Sequence, residues 1–252
     1  MFIKERYEIL LKLIKEKGII SYEELAKETF CSESTVRRDI NEMANQGLIT
    51  KIYGGASVNE STSNESSTLI RQTENTNKKR IIAEHAIKLL KDGASMFLDS
   101  STTSAQLIPL LKDFRRSFVV TNSLDNAILL SNNTTLDVFV IGGSLQRRTN
   151  SLGGVTSSDL INSFNCDFAF ISCKGIDNNG NITDASFETQ KAKQLMVKSA
   201  KKSVLLVDSS KFDSTYLLTT LSIKDIDIII TDKMPSQEFI SLCNSNNIEL
   251  IY

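Results

Sequence analysis

The sequence predicts two folds in series: a small, mainly helical domain ending in short β-like runs, then a larger α/β domain built on a mostly parallel sheet. Three observations carry this. Apolar residues before residue 58 recur at helical spacing. Residues 59–67 are polar and Ser-rich with no apolar anchor, as in a linker. Beyond them, short runs rich in Val, Ile and Phe alternate with helical patterns, which is how a strand–helix repeat reads. The expected division is a domain over 1–57, a connection over 58–75 and a domain over 76–252.

The chain has 252 residues, room for one large domain or two ordinary ones. Its net charge of −1 argues against a protein that coats nucleic acid nonspecifically. A local basic cluster would still suffice for a specific DNA footprint. No apolar run is long enough for a membrane helix, and charges interrupt the first 20 residues as no signal peptide allows. A cytoplasmic protein is expected. Cys31, Cys166, Cys173 and Cys243 are widely spaced, and His85 is the single histidine. That set suits reduced core thiols, with neither a metal nor a cofactor expected.

In the first domain, Ile9, Leu10, Leu13 and Ile14 mark one helix, ended by Gly18. A capping box, Ser21 with Glu24, opens a second helix that buries Tyr22, Leu25 and Ala26. Ser32 is the expected N-cap of a third, whose inward stripe is Val36, Ile40 and Met43 and whose end is Gly47. That stripe turns Ser34, Arg37, Arg38 and Asn41 to solvent. Residues 48–56 then read as two short β-runs turning at Gly54 and Gly55. Two short helices, a turn and a third helix fit a helix-turn-helix. Arg and Asn on the third are side chains that read bases in a major groove. Lys51 and the Gly54–Gly55 tip would form a wing beside the duplex, the glycines allowing close approach to a phosphate. Periodicity alone equally supports the solvated face of an ordinary three-helix bundle. Nine basic against nine acidic residues over 1–57 leave that choice open.

In the second domain, strands are expected at 95–98, 117–121, 136–141, 167–172, 203–207, 226–230 and 248–251. Helices are expected at 78–91, 103–112, 123–131, 155–163, 186–200 and 236–245, the last behind Pro235 as an N1 proline. Ligands of such Rossmann-like sheets sit outside the carboxyl ends of the strands. The segments there carry Asp99, Ser100, Ser101, Thr102 and Thr103; Thr121 and Asn122; Gly142 and Gly143; Lys174 and Asp177; and Asp208 and Lys211. Hydroxyls and free N–H groups at helix starts favour an anion such as phosphate, and Asp and Asn suit sugar hydroxyls. Each loop taken singly reads equally as a helix cap.

The stretch 32–40, with Ser32, Ser34, Thr35, Arg37 and Arg38, then residues 47–49 and 53–56, resembles the DeoR family of bacterial regulators. Residues 98–103, 121–122, 142–143, 174–177 and 208–212 are similar to that family's sensor domain, whose fold is like that of ribose-phosphate isomerases. The resemblance implies that Ser34, Thr35, Arg37 and Arg38 contact operator DNA. It also implies that Asp99, Ser100, Thr102, Thr103, Thr121, Asn122, Asp177, Glu188 and Lys211 line an effector pocket, with phosphate on the 100–103 loop. Three positions depart from the family pattern. Phe30 stands where the turn commonly has Gly, Ser101 where the loop usually has Gly, and Gln146 near a position often basic. A bulky residue at 30 calls for an unusual φ.

The expectation is therefore a non-enzymatic regulator. It would be a homo-oligomer, dimer or tetramer, binding double-stranded operator DNA under control of a phosphorylated sugar, most simply as a repressor in sugar metabolism. Two other classes are an isomerase-like enzyme using Asp177, Glu188, Asp208 and Lys211, and a metabolite-binding protein without DNA contact. Loss of DNA binding in Arg37→Ala with ligand affinity intact would separate the regulator from both.

Overall fold

A computed structural model describes residues 3–45, 48–57 and 68–252. Gly47 and the Ser-rich run fall outside these. The chain divides into two compact units, Met1–Ile70 and Arg71–Tyr252.

The first unit runs α1 (Ile3–Lys17), β1 (Ile19–Ser21), α2 (Tyr22–Thr29), α3 (Glu33–Asn45), β2 (Thr50–Ile52) and β3 (Gly55–Ser57). Gly18 ends α1 at φ 72°. The Ser21–Glu24 capping box forms in both directions. Leu10, Ile14, Tyr22, Leu25, Val36, Ile40 and Met43 make one core, each such side chain worth about 1.5–3 kcal/mol on burial. Ile9, expected on the same face, is 38% exposed. The three strands pair antiparallel in the order β1-β3-β2, which makes the unit a winged helix-turn-helix.

Of the expected connection, Thr68–Thr73 is helical (α4). Asn75, at its far end, donates to Asp208 and Ser210 instead of capping the next helix. The second unit then contains α5 (Thr76–Ala86), β4 (Ser95–Leu98), β5 (Phe118–Thr121), α6 (Leu124–Asn133), β6 (Asp137–Val140), β7 (Ser144–Gln146) and β8 (Ser151–Gly153). It continues through α7 (Val155–Asn162), β9 (Cys166–Ser172), β10 (Gly175–Ile176), β11 (Asn181–Asp184), α8 (Phe187–Lys198), β12 (Ala200–Leu206), β13 (Leu218–Ser222), β14 (Ile228–Ile230), α9 (Gln237–Ser245) and β15 (Glu249–Ile251).

Seven strands form one sheet in the order β15-β14-β12-β9-β4-β5-β6. Every pairing in it is parallel. Side chains alternate between its faces with the period of two that strands impose. Met96, Leu98, Val119 and Phe170 pack against α5, α6 and the segment 104–111. Phe97, Val120 and Ala169 face α7 and α8, while Ile171, Leu205 and Ile229 face α9. The chain moves outward one way from β4 through β5 to β6. It then returns beside β4 as β9 and moves out the other way. The switch point therefore lies between β4 and β9.

Three expectations change. Residues 104–111 are 3-10 rather than α-helical, with Pro109 inside the segment and lacking an N–H to give. Pro235 is not at N1, because Ser236 is the cap of α9 and accepts from the Phe239 N–H. The β7–β8 hairpin and the small β10-β11-β13 sheet are additions, short and polar enough to leave no periodic trace.

Candidate functional site

In the winged unit, Ser32 Oγ accepts from the Thr35 N–H at 3.3 Å and lies 2.9 Å from the hydroxyls of Ser34 and Thr35, opening α3. Ser32, Ser34, Arg37, Arg38 and Asn41 are exposed and Thr35 half-buried. Arg37 lies 4.3 Å over the Tyr22 ring and donates to Glu33 at 3.0 Å. Ring and carboxylate hold its guanidinium raised above α3. Arg37, Asn41, Lys51, Tyr53 and Gly54 line one concavity of about 380 Å³. Tyr53, which sequence reading left out, is fully exposed at the wing tip beside Gly54, whose φ is 79°. Gly55 does not belong to this surface. It is buried in β3, where a Cβ would stand 2.1 Å from the Ile20 carbonyl oxygen. Its missing side chain lets the wing close on β1.

Behind the exposed arginines, Asp39 is buried and accepts from Arg6 of α1 through both carboxylate oxygens. This hydrogen-bonded pair raises the Arg6 pKa further. It locks α3 onto α1 from the side opposite the exposed arginines.

At the sheet, the loop after β4 sits at the switch point. Asp99 accepts from the Ser101 N–H, the Ser104 hydroxyl and the Ser172 N–H, at 2.7–3.0 Å. Its carboxylate thereby ties the loop to β9, and buried Lys193 stands 4.0 Å away. Burial opposes the Lys193 charge, but Asp184 at 2.7 Å and Asp99 outweigh it and raise the ammonium pKa. Asp99 is thus a positioning residue. Ser100, Thr102 and Thr103 are buried and Ser101 half-buried. The Ser101 hydroxyl accepts from the Ser104 N–H. Thr121 Oγ1 accepts from the Ser123 N–H and faces the Asn126 amide. Asn122 donates to the Leu152 carbonyl at 3.1 Å.

Lys79, absent from the sequence-based set, joins this loop. It is buried on α5, and Nζ donates to Thr102 Oγ1 at 2.9 Å and to the Arg71 carbonyl. Burial pushes its pKa down to about 8; Lys211 and Arg71 push the same way, and Asp208 opposes them. The signal for Lys79 was present in the sequence: it shares the 79/82/83/86 stripe of α5 with Ile82, Ala83 and Ala86. Lys211, half-buried, donates through its N–H to the Asp208 carbonyl at 2.9 Å.

Among the described residues, three buried side-chain atoms lack a protein partner: Asn122 Oδ1, Asp208 Oδ2 and Thr231 Oγ1. Each lies within two residues of the carboxyl end of a sheet strand, β5, β12 and β14. Buried polar atoms are rarely left unpaired, so their confinement to one rim points to a ligand edge.

Other expected residues have partners of their own. Asp177 accepts from the Asn179 and Asn181 N–H groups and the Asn181 amide, holding its own turn. It borders a cavity of about 720 Å³ with Phe212 and Phe239. Glu188 is exposed in the first turn of α8 and accepts from Ser186. It lines a different depression with Gly153 and Phe187. Lys174 Nζ lies 4.9 Å from the Tyr216 ring centroid. Gly143, at φ 147°, would bring a Cβ within 2.2 Å of Ser157 Oγ, and that hydroxyl donates to the Gly142 carbonyl. The glycine pair admits the start of α7 and has a packing role.

Residues 6–62 match the DeoR-like helix-turn-helix domain, and residues 74–233 match the DeoR C-terminal sensor domain. The chain belongs to the DeoR family of transcriptional regulators. This DeoR-family chain is 33% identical to an L-fucose operon activator of Haemophilus influenzae over 96% of its own length and 97% of the relative's. It is 28% identical to the glycerol-3-phosphate regulon repressor of Escherichia coli (98% and 97%). It is 31% identical to the transcriptional repressor GlcR of Bacillus subtilis (100% and 96%). Its fold is similar to ribose-5-phosphate isomerase A of Methanocaldococcus jannaschii over 55% of each chain, at 18% identity and a TM-score of 0.42. Membership makes it a regulator that binds DNA through the winged unit and senses an effector through the second unit. No described helix is long and apolar enough to cross a membrane.

Proposed function

We propose that this DeoR-family protein is a cytoplasmic repressor of a sugar-metabolism operon, acting as a homo-oligomer, whose operator affinity is set by a phosphorylated sugar. The effector binds the rim formed by Ser100, Thr102, Thr103, Asn122, Lys79 and Lys211. One observation carries the reading: the partnerless acceptors Asn122 Oδ1 and Asp208 Oδ2 occupy the same sheet edge as the hydroxyl loop and the lysines. Acceptors without donors suit sugar hydroxyls, whereas ammonium, hydroxyl and N–H groups suit a phosphate.

On the DNA side, Arg37 and Arg38 read base edges from α3 with Asn41, while Ser32, Ser34 and Thr35 position its first turn on a phosphate. Lys51, Tyr53 and Gly54 place the wing on the backbone. One α3 reads one half-site, so a specific operator calls for two copies related by symmetry. The isomerase alternative finds little support. The Asp177 carboxylate is committed to its turn, and Glu188 stands on an exposed helix start.

A thermal-shift panel of sugar phosphates, each beside its unphosphorylated sugar, tests this. A ligand that binds only the folded chain raises the midpoint. The reading requires at least one phosphorylated compound to shift the midpoint where its parent sugar does not. A shift by parent sugars alone contradicts it.

A further inference from the structure

Lys79 and Thr102, two residues of the proposed effector rim, share one partner in the free protein. Lys79 Nζ donates to the carbonyl oxygen of Arg71, and Thr102 Oγ1 lies 3.1 Å from the same oxygen. Lys79 and Thr102 are themselves 2.9 Å apart, and both are buried. Arg71 belongs to α4, the first described helix after residues 58–67, the stretch of chain leading from the winged unit.

A backbone carbonyl satisfies two donors but brings no charge. Burial, Lys211 and Arg71 press Lys79 toward its neutral form, and Asp208 presses the other way. A phosphate oxygen would accept the same two hydrogen bonds and add an ion pair away from water, where charge-assisted bonds are strongest. The anion is therefore the better partner, and the carbonyl is the one it displaces.

We propose that Lys79 and Thr102 are ligands of the effector's phosphate, and that the Arg71 carbonyl occupies them in the free protein, so that effector and α4 compete for the same two donors. This rests on the effector reading above. Binding removes the Arg71 carbonyl's hold on Lys79 and Thr102, one of the attachments of the α4 end in the second unit. The coupling needs no movement of the sheet, because one helix end exchanges its partner. A ligand shifts such an equilibrium only through its differential affinity for the two states. Here that difference is an ion pair against a neutral hydrogen bond.

The test is amide hydrogen exchange of the full chain with inorganic phosphate as the probe, against chloride at matched ionic strength. The expected result is slower exchange over residues 99–105 together with several-fold faster exchange over 71–76. In Lys79→Met both responses disappear while β9 and β12 keep their protection. Should that variant fail to fold, Thr102→Val, which keeps the ammonium, must weaken both responses together. Slower exchange at 99–105 with 71–76 unchanged or slower overturns the competition and leaves the effector site standing. No change at 99–105 overturns both.

Discussion

Arg37 and Asp39 stand two positions apart on α3 with opposite fates. Arg37 is exposed and braced on Tyr22, and Asp39 is sealed against Arg6. Their substitutions should fail differently. Arg37→Ala is expected to lose about 1–3 kcal/mol of operator binding with an unchanged melting curve, read by fluorescence anisotropy on operator DNA. Asp39→Ala strands a buried guanidinium and should cost about 3–5 kcal/mol of stability, read by urea unfolding. Phe30 supplies a third contrast. It caps α2 in the left-handed region at φ 54° with its ring 96% exposed, as the departure from Gly foreshadowed. Phe30→Gly loses no packing and removes the conformational strain, so it should stabilise the protein by about 1 kcal/mol. An unchanged or lower midpoint would show that the exposed ring has a partner. Lys79 titrates within reach of ordinary buffers. An anion favours its protonated form, so effector affinity should be full below pH 8 and fall as pH rises through about 8. Its folded pKa lies below the ordinary 10.5. Between the two values the unfolded chain holds the proton that the folded chain has shed. The contribution of Lys79 to stability without effector therefore rises with pH across that window. Lys79→Met should abolish both trends.

At the scale of elements, the central strands of the large sheet were legible because they are buried on both faces. Runs dominated by Val, Leu, Phe and Met over 95–98, 117–121 and 203–207 read as buried segments. Capping chemistry was equally legible where a hydroxyl meets an N3 partner, as at Ser21 and Glu24. The misses are positions where tertiary context overrides a local rule. Residues 103–112 carry helical spacing, yet Pro109 and the packing of the loop give a 3-10 segment. Gly54 and Gly55 look alike in sequence, but one turns the wing at positive φ and the other is a contact surface for β1. Gly55→Ala should consequently open the wing and weaken DNA binding without touching the effector response, whereas Gly54→Ala strains only the tip. Lys79 was passed over because its run, 78–80, reads as a solvated basic face. The 79/82/83/86 stripe is what picks out the one of those three cations that points inward.

At the scale of the whole molecule, the helices of the first unit and the parallel sheet follow from periodicity, but the residues proposed for the effector rim come from segments more than a hundred residues apart, such as Lys79 with Lys211. Sequence reading gathered that rim from one rule, that ligands bind beyond carboxyl strand ends. Beyond β5 and β12 it meets the partnerless buried atoms of Asn122 and Asp208. At Gly142 and Gly143 it meets close packing against the start of α7. It also could not tell Asp99 as a ligand from Asp99 as the brace that ties the loop to β9. With a formal charge of −1 the protein has no global field to draw it to DNA. Its affinity must come from the local cluster on α3 and the wing, and should fall with salt roughly as the few phosphates contacted.

The most direct test of the account is operator affinity measured with and without the sugar phosphate that raises the melting midpoint, in wild type and in Lys79→Met. The account predicts a shift of about 5–150-fold in wild type, corresponding to 1–3 kcal/mol of coupling, and none in the variant. Equal operator affinity with and without that compound in wild type, at concentrations that saturate the thermal shift, would contradict it.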